Sequence, residues 1–202
     1  MLKKIFIISL LVCSLQGCAL LIGGAAIGGA AAAVILYDHR DVKAIFQDNN
    51  TVYDIKQKLI ANQDISLQCH IVVSSYNGTV LLAGQAPTQA LKDKITQITK
   101  TIPNIKRLYN ELTIEAPSSE LTRTSDAWIT TKVKTQLLAT DALKSGQFKV
   151  ITENGTVFLM GIVNRSQAQL AVDVSRHIDG VQKVVKVFEY TREFNTTKDI
   201  ST

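Results

Sequence analysis

Cysteine, histidine and proline are all scarce in this chain, and each shortage removes a class of function. Of 202 residues only Cys13, Cys18 and Cys69 are cysteines, too few for a disulfide-stapled scaffold. The three histidines, His39, His70 and His177, are scattered without ligand spacing, which speaks against a metal enzyme. With three prolines and eleven glycines, collagen-like and mucin-like compositions are absent. No Gly-x-Ser-x-Gly elbow frames a serine, and no glycine-rich loop joins a strand to a helix as a phosphate cradle would. The reading is therefore non-enzymatic, with no metal and no diffusible cofactor. The net charge of +5 is mildly basic and far from a polycation. Seven basic residues face five acidic ones over 52–115, and nine face seven over 126–194, so nucleic acid is a poor partner. A hydrophobic content of 46% excludes a disordered tail protein.

What the chain does have begins at its first residue. Met1-Leu2-Lys3-Lys4 is basic, Ile5 to Val12 is apolar apart from Ser9, and Ser14-Leu15-Gln16-Gly17-Cys18 closes the segment. This is the layout of an export signal. Leu15-Gln16-Gly17-Cys18 resembles the lipobox of bacterial lipoproteins. That resemblance implies cleavage after Gly17, a covalent diacylglycerol on the Cys18 sulfur and an acyl chain on its new amino group. Ala19 stands where an inner-membrane retention signal would have Asp, which by the sorting rule of those lipoproteins sends the product to the outer membrane. The alternative is an uncleaved anchor helix, because Ala19 to Leu36 is also apolar. Gly23 to Ala33 reads as a slack tether, or as a glycine zipper built on Gly24 and Gly28.

Beyond residue 45 one unit is written twice. Asn77-Gly78-Thr79-Val80-Leu81-Leu82-Ala83-Gly84 recurs as Asn154-Gly155-Thr156-Val157-Phe158-Leu159-Met160-Gly161. Asn-Gly is a strong hairpin signal because both turn residues tolerate positive φ. An alternating strand precedes each turn (Leu67, Cys69, Ile71, Val73; then Phe148, Val150), and a second strand follows it, ended by Gly84 or Gly161. Leu91, Ile95, Ile98 and Ile102 then recur at helical spacing, as do Leu170 or Ala171, Val174 and Ile178. Thr88 and Ser166 are the expected caps. Ile105 to Ile114 and Val181 to Tyr190 read as third strands. A leading helix opens each copy, with apolar stripes Val52, Ile55, Leu59 and Ile129, Val133, Leu137. The expected fold is α+β, a three-stranded mixed sheet with two helices on one face, made twice. Units of this size are marginal alone, so the copies are expected to pack on each other or on the tether.

The helix–strand–strand–helix–strand order, the Asn-Gly-x-Val-x-Leu-x-Gly hairpin and Gly180-Val181-x-x-Val184 resemble the BON domain of bacterial envelope proteins. Two copies behind a lipobox resemble the dual-BON outer-membrane lipoproteins of the DolP (YraP) type. So do the runs Trp128 to Leu138 and Thr152 to Gly161. The first copy departs from the pattern, with Pro103-Asn104-Ile105 where Gly-Val is usual. The expected organisation is a signal peptide over 1–17, lipidated Cys18 and tether over 18–44, and a first BON domain over 45–115. A linker over 116–124, a second BON domain over 125–194 and a disordered tail over 195–202 complete it.

The candidate site is the helix around Trp128. On a wheel of about 100° per residue, Ile129, Val133 and Leu137 form the core stripe. Trp128 and Leu138 lie on another side, with Thr131 and Thr135 between them and Lys132 and Lys134 flanking. Indole prefers the headgroup boundary, and lysines beside it can reach phosphate. Ser125 and Asp126 are the expected helix caps. The resemblance implies the same function: anionic phospholipid, such as phosphatidylglycerol, bound by this helix in support of envelope integrity, including at the division site. The alternative from geometry is that Trp128 and Leu138 bury against the first copy. The competing function is an adaptor for an envelope partner, such as an outer-membrane assembly complex or a cell-wall amidase regulator. The expected address is the outer membrane, lipid-anchored and facing the periplasm. The first-copy helix carries Tyr53, Lys56 and Lys58 but no Trp, and reads as structural or protein-binding. Cys69 reads as a buried thiol.

Overall fold

The computed structural model describes residues 41–143 and 147–191. The export signal, Cys18, the Gly/Ala-rich stretch as far as residue 40 and the tail over 195–202 lie outside them. The described chain runs α1 (Val42–Ile60), α2 (Gln63–Gln68), β1 (His70–Tyr76), β2 (Thr79–Ala86), α3 (Gln89–Lys100) and β3 (Arg107–Ile114). The second copy follows as α4 (Glu120–Leu138), β4 (Phe148–Glu153), β5 (Thr156–Val163), α5 (Arg165–Arg176) and β6 (Lys183–Tyr190). The sheets are ordered β1-β2-β3 and β4-β5-β6, each with an antiparallel hairpin and a parallel third strand. The mixed α+β unit therefore occurs twice.

Both hairpins turn on Asn-Gly. Asn77 and Gly78 have φ of 52° and 76°, and Asn154 and Gly155 have 48° and 69°. These left-handed pairs match the strand twist. Asn104, where the first copy lacks its glycine, takes φ 66°, as Gly180 takes 95° in the second. Asparagine tolerates that conformation, so the departure at Pro103-Asn104 leaves the turn intact.

Several expectations need correction. Leu67 is not on a strand: Asn62 caps a short helix by accepting the Ile65 N–H, and Leu67 lies exposed on it. Gly84 and Gly161 do not end their strands, which continue to Ala86 and Val163. A Cβ on Gly84 would sit 2.2 Å from the His70 carbonyl oxygen, and one on Gly161 would sit 2.6 Å from that of Gln147. The glycines mark close backbone approach, not termination. Asn164, not Ser166, caps α5, in a reciprocal box with Gln167; Thr88 caps α3 as expected.

The core has three parts. Ile55, Leu59, Val80, Leu82, Ile95 and Leu112 join the first sheet to its helices. Ile129, Val133, Leu137, Val157, Leu159 and Phe188 do the same in the second copy. The third part lies between the sheets: Tyr76, Leu81 and Ala83 meet Phe158, Met160 and Val187. Alternate residues of β2 and β5 thus serve two cores, and every β2 residue is buried. The result is a four-layer sandwich, helices–sheet–sheet–helices, in which the copies pack on each other through the faces their helices leave bare.

Polar contacts register the seam. Tyr76 donates its hydroxyl to the Gln147 carbonyl at 3.2 Å, Lys149 Nζ donates to the Ser75 carbonyl at 3.1 Å, and Asn77 Nδ2 donates to Glu189 at 2.9 Å. His70 Nε2 lies 3.4 Å from the Glu153 carboxylate. Burial pushes the Glu153 carboxyl above the usual carboxylate range, the His70 ring opposes this, and nearby Asp126 adds to it.

Candidate functional site

Helix α4 starts earlier than the apolar pattern implies. Ser119 is its N-cap, its hydroxyl accepting the Thr122 N–H at 3.1 Å, so Glu120 to Thr124 are helical. Ser125 and Asp126 are therefore not caps. Asp126 faces inward, buried, and accepts the backbone N–H of Asn154 at 2.8 Å and of Gly155 at 2.9 Å. It ties α4 to the β4–β5 turn. Asp48 of α1 does the same for the first copy, accepting from Asn77 N, Gly78 N and the Ser75 hydroxyl. One buried aspartate per copy thus fixes the leading helix over its own hairpin.

With Asp126, Ile129, Val133 and Leu137 inward, the opposite side of α4 is fixed as solvent-facing. Trp128 is 64% exposed, and Leu138 and Leu121 are also exposed. Neither Trp128 nor Leu138 enters the seam, which is made by the sheets. Leu121 falls within about 20° of Trp128 on the wheel and extends the apolar stripe by two turns. Its place in a polar, turn-rich stretch hid it; only the Ser119-x-x-Thr122 spacing marks a helix start there. Thr131 and Thr135 are exposed between the apolar groups. The Thr131 hydroxyl donates back to the Ala127 carbonyl at 3.0 Å.

The two lysines differ. Lys132 is half-buried, donates to the Asp179 carbonyl at 3.3 Å and holds its Nζ 6.0 Å from the Trp128 ring centre. The indole and this ammonium are thereby held together at one edge of the stripe. Lys134 is exposed on the Leu138 side and has no ion pair among the described residues. Beside the first half of α4 an open groove of about 350 Å³ runs past Leu121, Ser125, Ile129, Gly155, Gly180 and Gln182. The candidate residues Trp128, Thr131, Lys132, Lys134, Thr135 and Leu138 therefore share one helix and one outward side, with Leu121 added.

Among the described residues no three of His, Cys, Asp and Glu stand close enough to hold a metal ion. No described helix is long and apolar enough to cross a membrane. Cys69 is only half-buried; it borders a cleft of about 330 Å³ with Leu59, Ile60, Ile65 and Lys56, and burial raises its thiol pKa.

Comparison with known proteins agrees with this architecture. The family model of the BON domain matches residues 47–116 and 125–192. Over 189 residues the chain is 37% identical to the outer membrane lipoprotein DolP of Haemophilus influenzae, covering 94% of this chain and 96% of that protein. It is 36% identical over 138 residues to the 21 kDa hemolysin of Actinobacillus pleuropneumoniae, covering 68% and 71% of the two. It is also 24% identical over 142 residues to osmotically-inducible protein Y of Escherichia coli, covering 69% and 71%.

Proposed function

The chain belongs to the BON-domain family, with two domains in tandem, and from that premise we propose that it is a non-enzymatic outer-membrane lipoprotein that supports envelope integrity by binding anionic phospholipid through α4. The outer-membrane address follows its similarity to the Haemophilus lipoprotein. Cys18 would carry the covalent diacylglycerol and the N-acyl chain. The observation that supports lipid contact is the exposed apolar group Leu121, Trp128 and Leu138, spread over about 100° on the side of α4 opposite its core residues. An exposed patch that holds an indole and two leucines marks a surface used for contact.

The physics favours a weak contact made effective by the anchor. Each lysine near an anionic leaflet contributes about 1 kcal/mol, so Lys132 and Lys134 alone do not hold a protein at a membrane. The indole adds interfacial burial. Attachment at Cys18 raises the local membrane concentration, so a weak helix contact then decides orientation and lipid preference. The 23 Cα–Cα steps from Cys18 to Asp41 can extend to at most about 80 Å. That reach lets α4 meet the leaflet although the tether joins the chain at α1, in the opposite outer layer. Concentration at the division site would follow from anionic lipid enriched there.

Flotation with vesicles of the protein from Asp41 onward, which holds both copies and omits the apolar stretches 5–12 and 19–36, tests this reading. Binding to phosphatidylglycerol vesicles is expected, with weak binding to phosphatidylcholine and loss as salt rises. Trp128→Glu or Leu138→Glu should abolish flotation and leave the circular dichroism unchanged, since both side chains are exposed. Equal flotation of wild type and Trp128→Glu would refute it. Failure to float at all, with a specific protein recovered instead, would favour the envelope adaptor.

A further inference from the structure

Helix α1 carries its own apolar stripe, on the outer layer opposite α4. Phe46, Tyr53 and Ile60 are each more than half exposed, and Val42 nearly so. They recur with Asn49 and Lys56 at 42, 46, 49, 53, 56 and 60, alternating steps of four and three. That is the heptad seam by which one helix receives another. The seam is about 40° wide for its four apolar members, under half the spread of Leu121, Trp128 and Leu138 on α4, and its strict steps of four and three are the narrow pattern of a helix–helix contact. Asp48, Thr51, Ile55 and Leu59 are buried on the other side, so the seam is free of the fold's own core.

We infer that α1 is a homodimerisation seam, along which two copies of this chain pair antiparallel about a two-fold axis level with residue 51. An isologous contact must complement itself, and this one does. Antiparallel pairing about that point sets Val42 against Ile60 of the second copy, Phe46 against its Lys56, and Asn49 against its Tyr53. Those layers are apolar on apolar, ammonium on an aromatic face, and amide on phenol. The same register lays Val42 and Phe46 of one copy over the cleft of about 330 Å³ that Lys56, Leu59, Ile60 and Ile65 line in the other.

The pairing is weak on its own. A helix of 19 residues presents a seam about 28 Å long, less than the roughly 800 Å² per partner of a standard stable interface. Confinement of both copies to one membrane makes such a contact significant. The inference does not depend on which lipid α4 binds, because the two stripes face away from each other.

Disulfide trapping of the full-length chain in phosphatidylcholine vesicles tests the pairing and its register. The background is Cys13→Ser with Cys69→Ser, Cys18 being blocked by its lipid, and it alone should give no covalent dimer. Residues 42 and 60 of one helix lie about 27 Å apart, so they cannot bridge within a chain. Val42→Cys with Ile60→Cys should form a covalent dimer on mild oxidation, and either change alone should not. Adding Phe46→Glu, which would face Lys56, should preserve the yield. Adding Phe46→Lys should lower it severalfold. Trapping by the single-cysteine variants as efficient as by the pair, no trapping by the pair, or equal yields for the Glu and Lys variants would overturn the proposal. Loss of vesicle flotation by Trp128→Glu bears on α4 alone and leaves this result standing.

Discussion

Asp126 is buried in the middle of a helix, where an unpaired carboxylate would be costly. Its two backbone donors, at 2.8 and 2.9 Å, compensate for that burial and hold the Asn154-Gly155 turn under α4. Asp126→Ala leaves the Asn154 and Gly155 N–H groups without their carboxylate partner. The expected loss is about 1.5–3 kcal/mol, the range for a hydrogen bond to a charged group. Urea unfolding of full-length protein measures it, and hydrogen exchange should accelerate at the Asn154 and Gly155 amides first. An unchanged exchange rate there would show that the carboxylate does not restrain the turn. The role was not legible in the sequence. An Asp before an apolar run reads as a cap, and only the distance to a turn 28 residues onward reveals otherwise. That Trp128 lies off the core stripe was legible, but whether it meets solvent or the first copy was not, since the wheel allows both; Leu121 was not legible, because its neighbours are polar.

Periodicity located ten of the eleven described elements, because each buries one face and repeats at its own period. The exception is α2, six residues long and stabilised by its Asn62 cap more than by any stripe. The strand ends depart from expectation for one reason: the glycines that suggest a stop mark a close backbone contact instead. Gly84 has φ +111° and would place a Cβ 2.2 Å from the His70 carbonyl oxygen. Gly84→Ala therefore both strains the backbone and forces β1 from β2. A loss of about 2–4 kcal/mol is expected from the combined conformational and steric cost, read as a lower urea midpoint. A midpoint within error of wild type would mean the edge strand yields freely. The runs Val80 to Ala83 and Val157 to Met160 also held an unread signal. A half-exposed strand alternates, whereas a continuous apolar run is buried on both faces. That pattern implies a second layer behind each sheet.

The second layer is the other copy. Back-to-back sheets explain why neither domain needs a larger core of its own, and why the helices occupy the two outer faces. Function follows from that arrangement. The sheet faces that the helices leave bare are used for internal packing, so the helix layers are the broad faces left to meet partners. Helix α4 presents an indole, leucines and ammonium groups, and α1 presents a narrow heptad seam. The duplicated architecture was readable from the repeated Asn-Gly hairpins, but the opposition of the two helical faces was not, since it depends on how the sheets stack.

Trp128 is the only tryptophan in the chain, so its emission reports on one place. The most direct measurement is intrinsic fluorescence of the protein from Asp41 onward titrated with phosphatidylglycerol or phosphatidylcholine vesicles. An exposed indole entering the headgroup boundary should shift its emission to the blue and become protected from an aqueous quencher, with the anionic lipid only. An emission maximum and quenching unchanged at saturating phosphatidylglycerol would contradict lipid contact through α4.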